Sequence, residues 1–121
     1  MINVVYCMRR RSDLTLQQFL AHWRDVHAPI VMRNLGVLRL AGYQRVEPHA
    51  HAMSAPIERR NISQPPYDGI AILTWNSDED LQQSLTDPLA LDVQRELARD
   101  EKLFVDATNS CRWVAEAVRH L

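Results

Sequence analysis

Two histidines precede a proline in the segment FLAHWRDVHAPIV, residues 19–31. An imidazole exchanges protons near neutral pH, so His22 or His27 could serve as a general acid or base. Pro29 has no N–H for the helical ladder and disfavours the α conformation at Ala28, so we expect a kink or break near His27. In ideal α geometry the two histidines lie about 140° apart on opposite flanks of the helix. They are therefore not expected to bind one metal together as an i, i+4 pair does.

His27 is the residue that we expect to be catalytic. Beside a kinked helix end and facing an apolar cavity, its ring could take a proton from a substrate, or return one to it. The alternative is a structural role, in which the ring hydrogen-bonds a backbone carbonyl freed by Pro29 and holds the kink. His22 is expected at the edge of the same site, as a substrate-binding residue.

Further candidates for substrate binding lie on the predicted strands and at the end of the first one. They are Tyr6, Tyr43, Trp75 and Arg10. The aromatic side chains could line a cavity, with core packing as the alternative. Arg10 could hold a substrate carboxylate through two hydrogen bonds, or form a surface salt bridge with an acidic residue such as Glu47. Asp68 is expected to turn the chain into the third strand.

Metal and cofactor sites find little support. His49 and His51 would point the same way in an extended segment, but no third ligand lies nearby, so we favour a solvated loop and predict no metal. Cys7 and Cys111 have no CxxC spacing, and each is interpreted as a small buried residue. Nothing recognisable binds flavin or haem, so we predict no cofactor.

The composition is that of an ordinary globular protein. The chain has 121 residues, of which 46% are hydrophobic and 24% charged, and its formal charge is −1. Its length indicates one domain over residues 1–121, and its charge gives no positive field to attract nucleic acid or an anionic membrane. No apolar run approaches the roughly 18 residues of a membrane span. Apolar residues precede the first charges, the reverse of a secretory signal, so we predict a cytoplasmic protein.

Six elements position these candidates, in the order strand, helix, strand, strand, helix, strand. Runs of β-branched and aromatic residues predict strands over residues 2–8, 37–47, 67–75 and 111–118. Thr15 and Gln18 predict a capping box at the start of the first helix, which we expect to end at Gly36 in a left-handed cap. The second helical region begins after Ser77 and restarts at Pro88.

Helical periodicity predicts which faces are buried. In the first helix the buried stripe is Phe19, Trp23, Val26 and Ile30. In the second helical region it is Leu89, Val93, Leu97 and Phe104. The segment QRELARDEK, residues 94–102, is expected to form a charged outer face.

The element order is that of a split βαβ repeat. It predicts an α+β, ferredoxin-like βαββαβ fold with an antiparallel four-stranded sheet and both helices on one face. The other face would be apolar and bare, so we expect two sheets to pack face to face in a homodimer, as a dimeric α/β barrel. Residues 48–66 form a long connection without periodicity, expected to be a lid, an interface arm or a mobile segment.

Three segments resemble the EthD family of the dimeric α/β-barrel superfamily: residues 1–31, YDGIAILTW and DEKLFVDATNSCRWVAEAV. The family pattern has an arginine in the first turn, a Phe-x-x-x-Trp-x-x-x-His-Ala-Pro helix, a Tyr-Asp-Gly strand and an acidic segment with Phe and Asp before the last strand. The matching residues here are Arg10, Phe19, Trp23, His27, Ala28, Pro29, Tyr67, Asp68, Gly69, Phe104, Asp106 and Trp113.

The resemblance implies a homodimer that binds a small molecule and needs no cofactor. It implies proton-transfer chemistry, namely isomerisation, decarboxylation, dehydration or cyclisation, on a small cyclic, aromatic or polyketide-like acid in a catabolic or biosynthetic pathway. Two alternatives stay open. One is a non-enzymatic ligand-binding or accessory protein of such a pathway, and the other is a cofactor-independent oxidoreductase or monooxygenase.

Overall fold

Antiparallel strands form the frame of the molecule. The computed structural model describes residues 1–61 and 63–121. Its strands are β1 (Ile2–Met8), β2 (Gly42–Val46), β3 (Gly69–Trp75) and β4 (Cys111–Ala115). They form one four-stranded sheet in the order β2-β3-β1-β4, and every neighbouring pair is antiparallel. The predicted ferredoxin-like α+β fold is confirmed.

Helices and turns connect these strands. The helices are α1 (Leu16–His22), α2 (Ala28–Met32), α3 (Ser54–Glu58), α4 (Asp78–Thr86) and α5 (Pro88–Glu101). A π turn, Trp23–His27, joins α1 to α2, and a 3₁₀ turn, Ala107–Asn109, precedes β4. The predicted capping box begins α1, because the Thr15 hydroxyl accepts from the Gln18 N–H while the Gln18 side chain accepts from the Thr15 N–H. Within the described residues, no helix has the length and apolar character to cross a membrane.

The proline in the first helical region widens the helix instead of ending it. The Ala28 N–H bonds the carbonyl of Trp23, five residues earlier, which is the π-helical pattern. A proline ring clashes with the carbonyl four residues before it, and a wider turn avoids that clash at Pro29. Ala28 stays in the α region, with φ −58° and ψ −39°. The expectation that Pro29 moves Ala28 out of that region is wrong.

The junction between the first helical region and the second strand also differs from the prediction. Helix α2 ends at Met32, because residues 33–39 form turns. Gly36 does not take the left-handed conformation, which belongs to Arg39 at φ 55°. As a result β2 begins at Gly42 rather than at residue 37. The other strands are close to their predictions, although β3 starts at Gly69 and β4 ends at Ala115.

The main core lies between the helices and the sheet. Its buried residues are Met8, Phe19, Trp23, Ala71, Phe104 and Val105. Gly69 is required here, because a Cβ atom at this position would lie 2.4 Å from Cζ3 of Trp23. Two predicted stripe residues are instead exposed, Val26 at 44% and Leu89 at 67%. Val26 lies in the π turn, where α-helical periodicity does not hold, and Leu89 lies in the first turn of α5.

The second face of the sheet lies opposite the face that packs against the helices in the main core. The strand register places Val5, Ile72 and Trp113 in one row across it, next to the cross-strand pair of Ile70 and Val46. Trp113 and Val46 are 48% and 45% exposed. We call this surface the outer face. It is largely apolar, as the predicted sheet-on-sheet packing requires.

The proline-rich segment 48–66 contains helix α3, which the sequence analysis does not predict. The rings of His49 and His51 lie 6.2 Å apart, and Nδ1 of His51 accepts from the Met53 N–H. The end of the segment is tied to the sheet, because Arg9 donates to the carbonyls of Pro65 and Pro66. Residue 62 lies outside the described residues. The role of the segment as a lid, an interface arm or a mobile segment stays a prediction.

Candidate active site

A cavity of about 540 Å³ lies between the sheet and the helices. Most of its wall is apolar, with side chains from β1, β3, α4 and α5. Its aromatic and charged lining includes Tyr6, Trp23, His27, Tyr43, Trp75 and Arg112. Pockets of roughly 300–1,000 Å³ with apolar walls and a few convergent polar groups are typical of small-molecule sites.

Several sequence-predicted residues meet at this cavity. They are His27, Tyr6, Tyr43 and Trp75. Arg10 does not line it, because its Nη1 pairs with Asp68 at 2.6 Å and its Nε donates to the Leu14 carbonyl. Arg10 thus forms the alternative predicted for it, a salt bridge with an acidic residue, but the partner is Asp68, since Glu47 pairs with Arg45. Arg10 therefore ties the end of β1 to the start of β3.

His22 and His27 meet at one carboxylate, that of Asp100. Nδ1 of His27 lies 2.7 Å from Oδ2, and Nε2 of His22 lies 3.0 Å from Oδ1 and 3.2 Å from Oδ2. We call these three residues the histidine cluster. The predicted separation of the two rings is wrong, because it assumes α geometry, whereas a π turn brings residues five apart towards the same side. His22 contacts Asp100 and does not line the cavity.

Asp100 is the member of the histidine cluster that was not predicted from the sequence. It falls in the segment expected to form a charged outer face, yet it is only 8% exposed. The rings of His22 and His27 also pack on Phe104, with centroids 4.7 and 5.1 Å from it. One signal was available, since Asp100 follows the buried Leu97 by three residues and precedes Phe104 by four, which is the spacing of one helical face.

The carboxylate determines which nitrogen of His27 is available for chemistry. A carboxylate only accepts hydrogen bonds, so the neutral ring of His27, facing Asp100, carries its hydrogen on Nδ1 and its lone pair on Nε2. Nε2 has no hydrogen-bond partner within residues 1–61 and 63–121, and His27 lines the cavity. The ring thus contacts Asp100 rather than a backbone carbonyl freed by Pro29. Nε2 is the ring atom able to accept a proton there.

A second polar group at the cavity consists of Tyr6, Glu101 and Arg112, which we call the arginine cluster. Nη2 of Arg112 lies 2.7 Å from Oε1 of Glu101, and the guanidinium carbon lies 3.9 Å from the centre of the Tyr6 ring. Burial raises the pKa of Tyr6, and the negative charge of Glu101 raises it further, while Arg112 lowers it. Tyr6 therefore keeps its proton at neutral pH. Neither Glu101 nor Arg112 was predicted from the sequence.

Hydrogen bonds hold the tryptophan side chains that line the cavity, and one of them involves the hydroxyl of Tyr43. Nε1 of Trp23 donates to the hydroxyl of Tyr43 at 3.0 Å, and Nε1 of Trp75 donates to the Leu38 carbonyl at 2.8 Å. Burial is the main cause that raises the pKa of Tyr43. Its hydroxyl accepts from Trp23 and keeps its own hydrogen as a donor.

The remaining sequence-level candidates lie elsewhere. Among the described residues, no group of three or more His, Cys, Asp or Glu side chains is arranged to hold a metal ion. Cys7 and Cys111 are free thiols on opposed positions of β1 and β4. Cys7 is buried, but Cys111 is exposed, so the interpretation of Cys111 as a buried residue is wrong. It lies on an edge strand, where one side of the ladder is open.

Solved structures share this fold. An EthD family protein from Bacillus halodurans C-125 is 15% identical, with a TM-score of 0.67 over 98% of this chain and 99% of that one. A dimeric protein of unknown function with a ferredoxin-like fold, from Bacteroides fragilis NCTC 9343, is 7% identical, with a TM-score of 0.59 over 96% and 95%. A putative antibiotic biosynthesis monooxygenase from Deinococcus radiodurans is 14% identical, with a TM-score of 0.53 over 100% and 96%.

Sequence comparison identifies the family. A search of curated proteins finds no match. The family model described as the EthD domain matches residues 11–108. This range contains the histidine cluster, the π turn and β3, together with most of the residues on which the resemblance was based. The chain belongs to the EthD family.

Proposed function

We propose that this protein is an enzyme that binds a small cyclic, aromatic or polyketide-like acid in the cavity and transfers protons on it without a cofactor. His27 is the proposed catalytic residue. The observation that carries the proposal is the 2.7 Å contact between Nδ1 of His27 and Asp100, which leaves Nε2 free at a ligand-sized cavity. A histidine oriented by a carboxylate in this way is a typical general base.

In the proposed reaction, Nε2 of His27 takes a proton from a C–H or O–H group of the substrate. The ring becomes an imidazolium, and the negative charge of Asp100 stabilises it. The same proton returns to another atom in an isomerisation or cyclisation, or to the leaving oxygen in a dehydration. The hydroxyls of Tyr6 and Tyr43 can donate to the oxygen on which negative charge develops.

His22 has a positioning role in this proposal. Its ring contacts both oxygens of Asp100 and so helps to hold the carboxylate in place. Because His22 does not line the cavity, it acts on a substrate only through Asp100 and His27. Trp75 and the tyrosines remain the proposed substrate-binding residues.

The test is a turnover assay with a panel of lactones, phenols and polyketide acids, followed by mass spectrometry. The critical variant is His27→Asn, whose amide N–H takes the place of Nδ1 towards Asp100 while the proton acceptor Nε2 is removed. We expect a turnover number about 10²–10⁴-fold lower, with the thermal unfolding midpoint close to that of the wild type. His49→Asn, in the exposed segment, is the matched control. A folded His27→Asn variant with full turnover would contradict the proposal.

The same assay separates the other candidate functions. Binding of a panel member without turnover would favour a non-enzymatic ligand-binding or accessory protein. Oxygen consumption with an oxygenated product would favour a cofactor-independent monooxygenase, the class of the structurally similar putative antibiotic biosynthesis monooxygenase from Deinococcus radiodurans. Retention of substrate mass, or loss of only water or carbon dioxide, would favour the proposed proton-transfer chemistry.

We also propose that the chain forms a homodimer through its outer face. Apolar side chains exposed there, such as Trp113 and Val46, and a structural relative described as dimeric support this assembly. Sedimentation of the wild type should give the mass of two chains. Ile72→Glu, in the row of Val5 and Trp113, should give the mass of one chain, whereas Gln82→Glu, on the exposed side of α4, should not change it.

A further inference from the structure

We propose that Arg112 recognises the acidic group of the ligand, and that Glu101 holds the Arg112 guanidinium at the cavity until the ligand carboxylate replaces it. The ligand class would then be an aromatic or cyclic carboxylate. This inference rests on the proposed function, since it assigns the acid group of the proposed substrate to a residue of the same cavity.

Arg112 is the cation that the cavity offers to an anion. Among the described residues, it is the arginine in the cavity wall, and no lysine lies there. Arg10 lies outside the wall and is held by Asp68. Arg45 pairs with Glu47. An acid that enters this mostly apolar cavity therefore finds its complementary charge at Arg112.

The geometry of Arg112 suits a carboxylate. The Tyr6 ring, 3.9 Å below the guanidinium carbon, supports the planar group on one face and leaves its edge for hydrogen bonds. The ion pair with Glu101 uses one nitrogen, Nη2. A guanidinium has five N–H donors in a fixed fork and can bind a carboxylate through two parallel hydrogen bonds. A ligand can therefore replace the single contact with a paired one.

The ion pair is also exchangeable. The Arg112 and Glu101 side chains are 47% and 21% exposed, and ion pairs in contact with water contribute little net stability. A Glu101 carboxylate displaced by the ligand can turn to solvent. The pair of Arg10 and Asp68 differs, because the less exposed Asp68 also accepts from the Arg10 backbone N–H.

The position of Glu101 links recognition to the proposed chemistry. Asp100 and Glu101 are consecutive at the end of α5. Asp100 contacts His27, and Glu101 contacts Arg112. Both His27 and Arg112 line the same cavity, so an acid bound to Arg112 shares the cavity with the free Nε2 of His27.

The test compares 2-naphthoate with 2-naphthamide, which have nearly the same shape and differ in charge. Binding is followed by calorimetry and by tryptophan fluorescence, since Trp23 and Trp75 line the cavity. The wild type should bind the carboxylate at least tenfold more tightly than the amide. Arg112→Gln should lose this preference by weakening the carboxylate alone, whereas Glu101→Gln should strengthen carboxylate binding severalfold.

Two further variants keep the test decisive. Arg112→Lys keeps the charge but loses the paired hydrogen bonds, so an intermediate preference is expected even if Arg112→Gln is unstable. Arg95→Gln, on the exposed side of α5, is the control and should behave as the wild type. Equal affinity of the wild type for the two probes, no binding of 2-naphthoate, or a preference that survives in Arg112→Gln would overturn the inference.

Failure of this inference and failure of the proposed function are distinguishable. If only the function fails, 2-naphthoate still binds with its charge preference, and no panel compound is turned over. If only the inference fails, turnover that depends on His27 is observed, and its rate does not respond to Arg112→Gln.

Discussion

The two polar clusters of the cavity use neighbouring carboxylates in opposite ways. The Asp100 side chain is 9% exposed and contacts two imidazoles. The Glu101 side chain is 21% exposed and contacts one guanidinium. A buried carboxylate with several donors keeps one geometry, because loss of a partner leaves a charge without compensation. A carboxylate near water can exchange its partner at low cost.

The end of α5 therefore supplies two carboxylates with different properties, one buried and one near water. The last turn of α5 points Asp100 at His27, the proposed proton-transfer residue, and Glu101 at Arg112, the proposed recognition residue. We infer that the histidine cluster orients the ring of His27, whereas the arginine cluster allows a ligand carboxylate to replace Glu101 at Arg112. Variants of each cluster can test that division.

Asp100→Asn should have the largest effect, a turnover number about 10²–10⁴-fold lower on any substrate found. The new amide offers a donor in place of one carboxylate oxygen, so His27 can be held in the wrong tautomer, with the hydrogen on Nε2. Steady-state kinetics would show the loss mainly in kcat. Asp92→Asn, an exposed change on the same helix, should leave kcat unchanged. Wild-type kcat in Asp100→Asn would mean that the cluster does not orient the base.

Gly69→Ala should disturb the packing of Trp23, the first residue of the π turn that joins His22 to His27. The added methyl would lie 2.4 Å from the Trp23 ring, at the residue where the π turn begins. Overpacking of this kind lowers the free energy of unfolding by about 1–3 kcal/mol, measurable by urea denaturation. Gly36→Ala is the matched control, because a methyl there meets nothing within 4 Å, and its stability should not fall.

Tyr43→Phe should have a smaller effect on stability, a loss of about 1 kcal/mol in the free energy of unfolding. The buried indole N–H of Trp23 would lose its acceptor, the Tyr43 hydroxyl. Tyr67→Phe removes a hydroxyl near the surface and should cost less in the same urea experiment. Equal losses of unfolding free energy in the two variants would show that the hydrogen bond from Trp23 to Tyr43 adds no stability of its own.

The smallest effect concerns the arginine cluster at alkaline pH. The pKa of Tyr6 lies above its ordinary value of 10.0, through burial first and the charge of Glu101 second. Between the ordinary and the raised pKa, the folded chain therefore keeps this proton while the unfolded chain has lost it. The free energy of unfolding declines as pH rises above about 10. Glu101→Gln should lower the pKa of Tyr6, as followed by tyrosinate absorbance and assigned with Tyr6→Phe. Glu96→Gln is the control, and an unchanged Tyr6 titration in Glu101→Gln would contradict the assigned cause.

The fold follows from the sequence because its signals are local. The β-branched runs, the Thr15 capping box and the Asp87-Pro88 restart each depend on a few adjacent residues, and all are observed. The split βαβ order then leaves few arrangements for the sheet. Strand limits were less accurate, since they depend on pairing partners rather than on the strand itself.

The site was only half predictable, because its contacts are not local. His27, Tyr6 and Tyr43 could be chosen by residue type and position. Asp100 lies in a run of charges, and only the packing of α5 against the first helical region shows that it is buried. Arg112 gains its role from the strand register that places it opposite Tyr6, which no short sequence pattern specifies.

The π turn also links the spacing of the two histidines to the winding of the chain between them. A full π turn contains about one more residue than a full turn of an α-helix. Winding the same residues as an α-helix would rotate the part before the turn by about 100° relative to the part after it. Phe19 and His22 could then no longer face their partners while His27 keeps its own. The five-residue spacing of the two histidines and the π geometry of the turn are therefore a joint property of this site.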